Sequence, residues 1–145
     1  AVRCITYTHN QQFVVSTDDA GFANIFQPNF ELMVALQAHR EAVRSVSFSP
    51  TDLKFATGSD DSKIHVYDFG TCQNGPEKVL SGHGGDVRCV DWHPSKGLIA
   101  SCSKDSSVKL WEPRMGGCIG TLHGHKSGVH QVKWNRNGHW LLSAS

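Results

Sequence analysis

The chain has 145 residues, with 14 Lys and Arg against 13 Asp and Glu and a formal net charge of +1. That balance excludes a globally basic nucleic-acid binder, so any contact with a polyanion has to come from a local patch. No apolar run is long enough for a membrane-spanning helix, and none of the five cysteines (Cys4, Cys72, Cys89, Cys102, Cys118) shows the C-x-x-C spacing of a zinc framework.

In chain order, Val2 to Gln27 reads as three strands, VRCITY, FVVST and FANIFQ, with turns at His9-Asn10 and at Asp18 to Gly21. Asn29 to Gln37 reads as a turn and an outer strand, LMVALQ. After Ala38-His39 come VRSVSF, KFATGS and IHVYDF. Gly70 to Pro76 is the longest loop and reads as a surface connection. The stretch from Ser81 to Pro113 then opens on Gly82-His83 and closes on Trp111-Glu112, with VRCVDW, LIASCS and VKLW between. CIGTL, Gly124-His125, VHQVKW, a turn at Asn135 to Gly138 and WLLSAS complete the chain. Cys4, Cys89 and Cys102 fall in predicted strands, where buried free thiols are expected. An odd cysteine count without a framework suits a reducing compartment.

The strands repeat. A shift of 44 places His83 on His39, Val87 on Val43, Trp92 on Phe48, Ser101 on Thr57, Asp105 on Asp61 and Trp111 on Tyr67. A shift of 42 in the other direction reaches His125, Val129, Trp134 and Ser143. A unit of this length, with Gly-His at its start and a Trp-Asp-like close, is the signature of a β-propeller blade. The predicted fold is therefore all-β, a WD-repeat propeller. At about 42 residues per unit the chain holds about three and a half blades, fewer than most closed rings of ~4–8. The expectation is an incomplete arc of a larger ring. Its blades fall at roughly 1–31 (lacking an outer strand), 32–76, 77–117 and 118–145 (truncated).

Fixed polar offsets inside each unit predict a buried chain. The Trp111 indole N–H needs an acceptor, the Ser101 hydroxyl can offer one and donate to His83, and the other imidazole nitrogen can donate to Asp105. The same joint is expected with His39, Thr57 and Asp61, where Tyr67 replaces the tryptophan, and begins with His125 and Ser143. In the first unit Val15 is read at the Ser/Thr position, so no joint is expected there. His, Ser and Asp also make up a hydrolase triad, but a catalytic site is not needed in successive blades, whereas a structural joint is. No catalytic residue, metal site or cofactor is therefore expected. The remaining histidines (His9, His65, His93, His123, His130, His139) read as surface residues without metal spacing.

Several strings are more detailed than a repeat consensus: FSPTDLKFATGSDD, SGHGGDVRCVDWHPSKGL, LHGHKSGVHQVKWN and NGHWLLSAS. They resemble the WD-repeat subunits of the cleavage and polyadenylation specificity factor, over essentially the whole chain and most strongly from His39 onward. The resemblance implies a non-enzymatic, nuclear scaffold for pre-mRNA 3′-end processing. It would sit against a large multi-propeller subunit and a zinc-finger subunit that help hold the AAUAAA signal. It also implies that most RNA contacts of the family come from a basic arm and first blade upstream of this sequence.

Two sets of residues are candidate partner contacts. Arg40, Arg44, Arg88 and Lys126 lie in or just after the Gly-His loops and are expected at one rim, facing phosphates, an acidic partner or only solvent. Phe30, in a loop, could stack on a base or pack on its own blade. A competing reading comes from Trp111-Glu112-Pro113-Arg114, which resembles the Trp-Asp-x-Arg motif by which substrate receptors dock on cullin-type ubiquitin ligases.

Overall fold

The computed structural model describes residues 1–145. Strands β1 (Val2–Tyr7), β2 (Val14–Asp18), β3 (Phe22–Phe26) and β4 (Leu32–Gln37) form one antiparallel sheet in sequence order. β5 (Val43–Phe48), β6 (Lys54–Ser59), β7 (Lys63–Asp68) and β8 (Lys78–Ser81) form a second. β9 (Val87–Trp92), β10 (Ile99–Ser103), β11 (Val108–Glu112) and β12 (Gly117–Leu122) form a third, and β13 (Gln131–Trp134) pairs with β14 (Leu141–Ala144). The inner strands β1, β5, β9 and β13 neighbour one another in turn, as blades around an axis require.

The blade boundaries differ from the expected ones. Each outer strand, β4, β8 and β12, hydrogen-bonds to the strand before it. Breaks at 31/32, 76/77 and 117/118 would cut these sheets, and the first sheet does possess its outer strand. In sequence the outer strand reads as the opening of the next unit, because it runs straight into the His loop. Its backbone partners, which define the sheet, lie in the hairpin it closes.

Three apolar layers lie between successive sheets. The first joins Val15, Ile25 and Leu36 to Val46, Phe48, Phe55 and Tyr67. The second joins Ala56, Ile64, Val66 and Leu80 to Val87, Val90, Trp92, Ile99 and Trp111. The third joins Ala100, Cys102 and Val108 to Val129 and Val132. β10 is buried along its whole length, which is why its sequence runs IASCS without alternation. Small residues set the spacing: a Cβ on Gly58 would lie 2.8 Å from Val87 Cγ1 across the second layer.

The cysteines depart from expectation. Cys102 is buried, but Cys4 and Cys89 are only half-buried. Cys72 is buried although it lies in the Gly70–Pro76 loop, because a short 3-10 turn (Cys72–Asn74) folds it into the first apolar layer. Cys118 is exposed on β12.

Candidate functional site

The third sheet assembles the polar chain completely. The Trp111 indole N–H donates to Ser101 Oγ at 2.8 Å. Ser101 Oγ lies 2.7 Å from His83 Nε2, and His83 Nδ1 lies 2.9 Å from Asp105 Oδ2. With Nδ1 carrying the proton, every link runs one way, from indole to hydroxyl to Nε2 and from Nδ1 to carboxylate. Asp105 is held further by the Gly84 N–H at 2.8 Å and by the Ser107 hydroxyl at 2.6 Å. Burial opposes the charge on Asp105, but these donors and His83 outweigh it and hold the carboxyl well below its usual range. Burial pushes His83 the other way, toward the neutral form that the chain requires. The Ser101 hydroxyl is buried and already accepts the indole, so it is not presented to any substrate.

The second sheet varies the joint. His39 Nε2 lies 2.8 Å from Thr57 Oγ1 and Nδ1 lies 2.8 Å from Asp61 Oδ2. Tyr67 cannot copy the indole. Its hydroxyl instead donates to the Ala38 carbonyl at 3.0 Å, which ties the strand to the His39 loop by another route. In the last hairpin His125 Nε2 meets Ser143 Oγ at 2.8 Å. In the first sheet the strand pairing corrects one residue: Ser16, opposite Ile5 and Asn24, holds the position that Thr57 takes between Val46 and His65. Val15 instead belongs to the first apolar layer. A slip of one residue in a strand exchanges its faces.

The candidate cations separate. Arg40 and Lys126 are exposed in the loops before β5 and β13. Arg44 and Arg88 lie one residue into the inner strands, at β-bulges, and line the central channel. Arg44 is committed internally, with Nε and Nη2 donating to the two oxygens of Asp60 at 2.8 and 2.6 Å. Phe30 is 65% exposed at a left-handed turn position (φ 63°), so it does not pack on its own blade.

A model of the family described as WD domain, G-beta repeat matches residues 30–68, 74–112 and 116–145. The chain belongs to the WD-repeat family. Among curated WD-repeat relatives, Polyadenylation factor subunit 2 of Neurospora crassa is 43% identical over 136 residues, 94% of this chain and 20% of that protein. Polyadenylation factor subunit 2 of Gibberella zeae is 45% identical over 136 residues, 94% of this chain and 22% of that protein. Nuclear distribution protein nudF of Aspergillus flavus is 40% identical over 114 residues, 77% of this chain and 25% of that protein. The chain thus spans about a fifth of the length of the polyadenylation factors it matches.

Two histidines of this WD-repeat arc differ from the surface residues expected. His93 is buried; its Nδ1 accepts the Ser95 and Lys96 N–H groups, and its Nε2 meets the Gly138 carbonyl of the next unit at 3.0 Å. His65 is half-buried, stacked on His39 with ring centroids 3.9 Å apart, and Nδ1 meets the Ala38 carbonyl at 2.9 Å. His39, Asp61 and His65 cluster closely enough to suggest metal ligands. Both His39 nitrogens are already engaged by Thr57 and Asp61, so the cluster is a hydrogen-bonded joint. Neither histidine was legible as buried, because its partner is a backbone carbonyl on another segment.

Burial and the adjacent His39 push His65 down to about 4. The unfolded chain therefore takes up this proton first as pH falls. The associated stability is present above about pH 6.5 and disappears as pH falls toward 4, a loss of ~2 kcal/mol once the partial exposure of the ring is allowed for. His83 adds a loss of the same sign, and the depressed Asp61 and Asp105 add theirs at lower pH. Urea denaturation of the intact protein across that range should show the decline, and His65→Asn should flatten its upper part. A profile unchanged by His65→Asn would contradict this assignment.

Proposed function

We propose that the chain is part of a non-catalytic WD-repeat scaffold of the nuclear pre-mRNA 3′-end cleavage and polyadenylation machinery. The observation that carries this reading is the 43% and 45% identity to two polyadenylation factors over 94% of the chain. The geometry supports it in a specific way. The His–Ser–Asp groups are sealed inside sheets as joints, which leaves loops, the outer strands and the channel as the surfaces on which a scaffold acts. In this reading the propeller helps present the AAUAAA signal by holding a large multi-propeller subunit and a zinc-finger subunit in register. Net charge of +1 suits a role in which most phosphate contacts belong to other segments.

The test is affinity purification of the intact, tagged protein from nuclei, with crosslinking to an RNA containing AAUAAA. Recovery of polyadenylation subunits, together with hexamer-dependent crosslinking in the assembly, is the expected result. Recovery of a cullin-ligase adaptor without polyadenylation subunits would overturn it in favour of a substrate receptor docked through the Trp111–Arg114 segment. Trp111 is itself 1% exposed and bonded to Ser101, so such docking would have to use the exposed Arg114 and the half-buried Glu112.

A further inference from the structure

Three inner strands carry an arginine at the same place. Arg3, Arg44 and Arg88 are the bulged residues of β1, β5 and β9, each left without a cross-strand partner. A bulge re-aims its side chain, here toward the end of the following strand. In the first two sheets an aspartate waits there. Arg3 forks onto both oxygens of Asp19, and Arg44 forks onto both oxygens of Asp60. The backbone frame is the same in all three sheets. Asp19 N–H donates to Ala1 O, Asp60 N–H to Ala42 O and Lys104 N–H to Asp86 O, each at 3.0 Å. The third sheet therefore places Lys104 where the others place a carboxylate.

The consequence is an unfilled guanidinium. Arg88 Nε is buried without a hydrogen-bond partner. Asp86 approaches only Nη2, at 3.6 Å, too far for a hydrogen bond. The Arg88 side chain is 27% exposed and lines the channel, and Lys104, at the backbone position that matches Asp19 and Asp60, is exposed. Two cations stand where the fold elsewhere places one cation and one anion.

We propose that Arg88 and Lys104 form a binding site for the carboxylate of an aspartate or glutamate presented by a protein partner at the mouth of the channel. The carboxylate would take the exposed Nη edge of Arg88, with the Lys104 ammonium closing on it. A planar carboxylate is the group that the bulge arginine already holds twice in the same chain, there through Nε and Nη2, and bidentate pairing with a guanidinium edge favours it. Asp86 lies beside Arg88 without closing on it, its carboxylate 3.6 Å from Nη2, so the two cations leave one positive charge in excess for an incoming carboxylate. The site does not depend on which pathway the protein serves.

The test uses the intact protein, titrated calorimetrically with hexaglutamate and, separately, with hexauridylate RNA. Lys104→Asp supplies the missing internal carboxylate and should raise the melting temperature while weakening hexaglutamate about tenfold or more. Lys104→Gln, which removes the cation without filling the site, should weaken it less. Hexauridylate binding should be insensitive to Lys104→Asp. Hexaglutamate binding unchanged by both variants would overturn the proposal. So would a loss of hexauridylate binding larger than that of hexaglutamate, which would make the site one for phosphate.

Discussion

Ser101→Ala should destabilise the protein by about 2–4 kcal/mol, with Thr57→Val, which removes the hydroxyl but keeps the buried methyl, costing about 1 kcal/mol less. The asymmetry follows from what each hydroxyl serves. Ser101 Oγ serves two buried groups, the indole N–H of Trp111 and Nε2 of His83. Both would be left unsatisfied at ~1–3 kcal/mol each, softened where the ring and imidazole relax toward one another. Thr57 Oγ1 serves one such group at close range, His39 Nε2, with only a long 3.4 Å contact to the His65 carbonyl besides, since Tyr67 satisfies its own hydroxyl at the Ala38 carbonyl. Urea denaturation of the two variants measures the difference. Equal losses would mean that the indole link carries no net free energy. A Ser101→Ala protein of unchanged stability that had lost a hydrolytic activity would reverse the structural reading altogether.

The parts of the fold that were legible in the sequence are those written in side chains at fixed offsets. His83, Ser101, Asp105 and Trp111 could be placed together because donor and acceptor types must match along one buried chain. The strands themselves were legible from apolar runs broken by turn residues. What depends on the backbone was not. The outer strand β4 belongs to the sheet of β3 because of its hydrogen bonds, and no residue in LMVALQ states which neighbour it pairs with. Ser16 rather than Val15 takes the hydroxyl position because register, not composition, fixes a strand's faces. The candidate cations show the same limit. Arg44 and Arg88 look alike in VRSVSF and VRCVDW, yet one is neutralised and the other is not. The difference lies in Asp60 against Lys104, residues that only the bulges bring to bear.

Gly21→Ala should cost ~3–5 kcal/mol, among the largest losses any single methyl can cause in this chain. Gly21 has φ +89°, and a Cβ there would lie 2.2 Å from the His39 carbonyl oxygen and 2.9 Å from its carbon. Both are backbone atoms, so no rotamer change can relieve the contact. The same glycine holds the loop in place, since its carbonyl accepts the N–H groups of Ala38 and His39, each at 3.0 Å. Moving the loop away would break those bonds and draw His39 off Thr57 and Asp61, so the damage spreads from the first sheet to the joint of the second. Gly75→Ala is the matched control: φ is +105°, but a Cβ there meets nothing within 4 Å. Backbone strain alone should cost that variant ~1–2 kcal/mol. The gap between the two, read by urea denaturation, isolates the close approach between sheets from the conformational preference of glycine. Equal destabilisation would show that the His39 loop can yield, and that the first sheet does not fix the second through this turn.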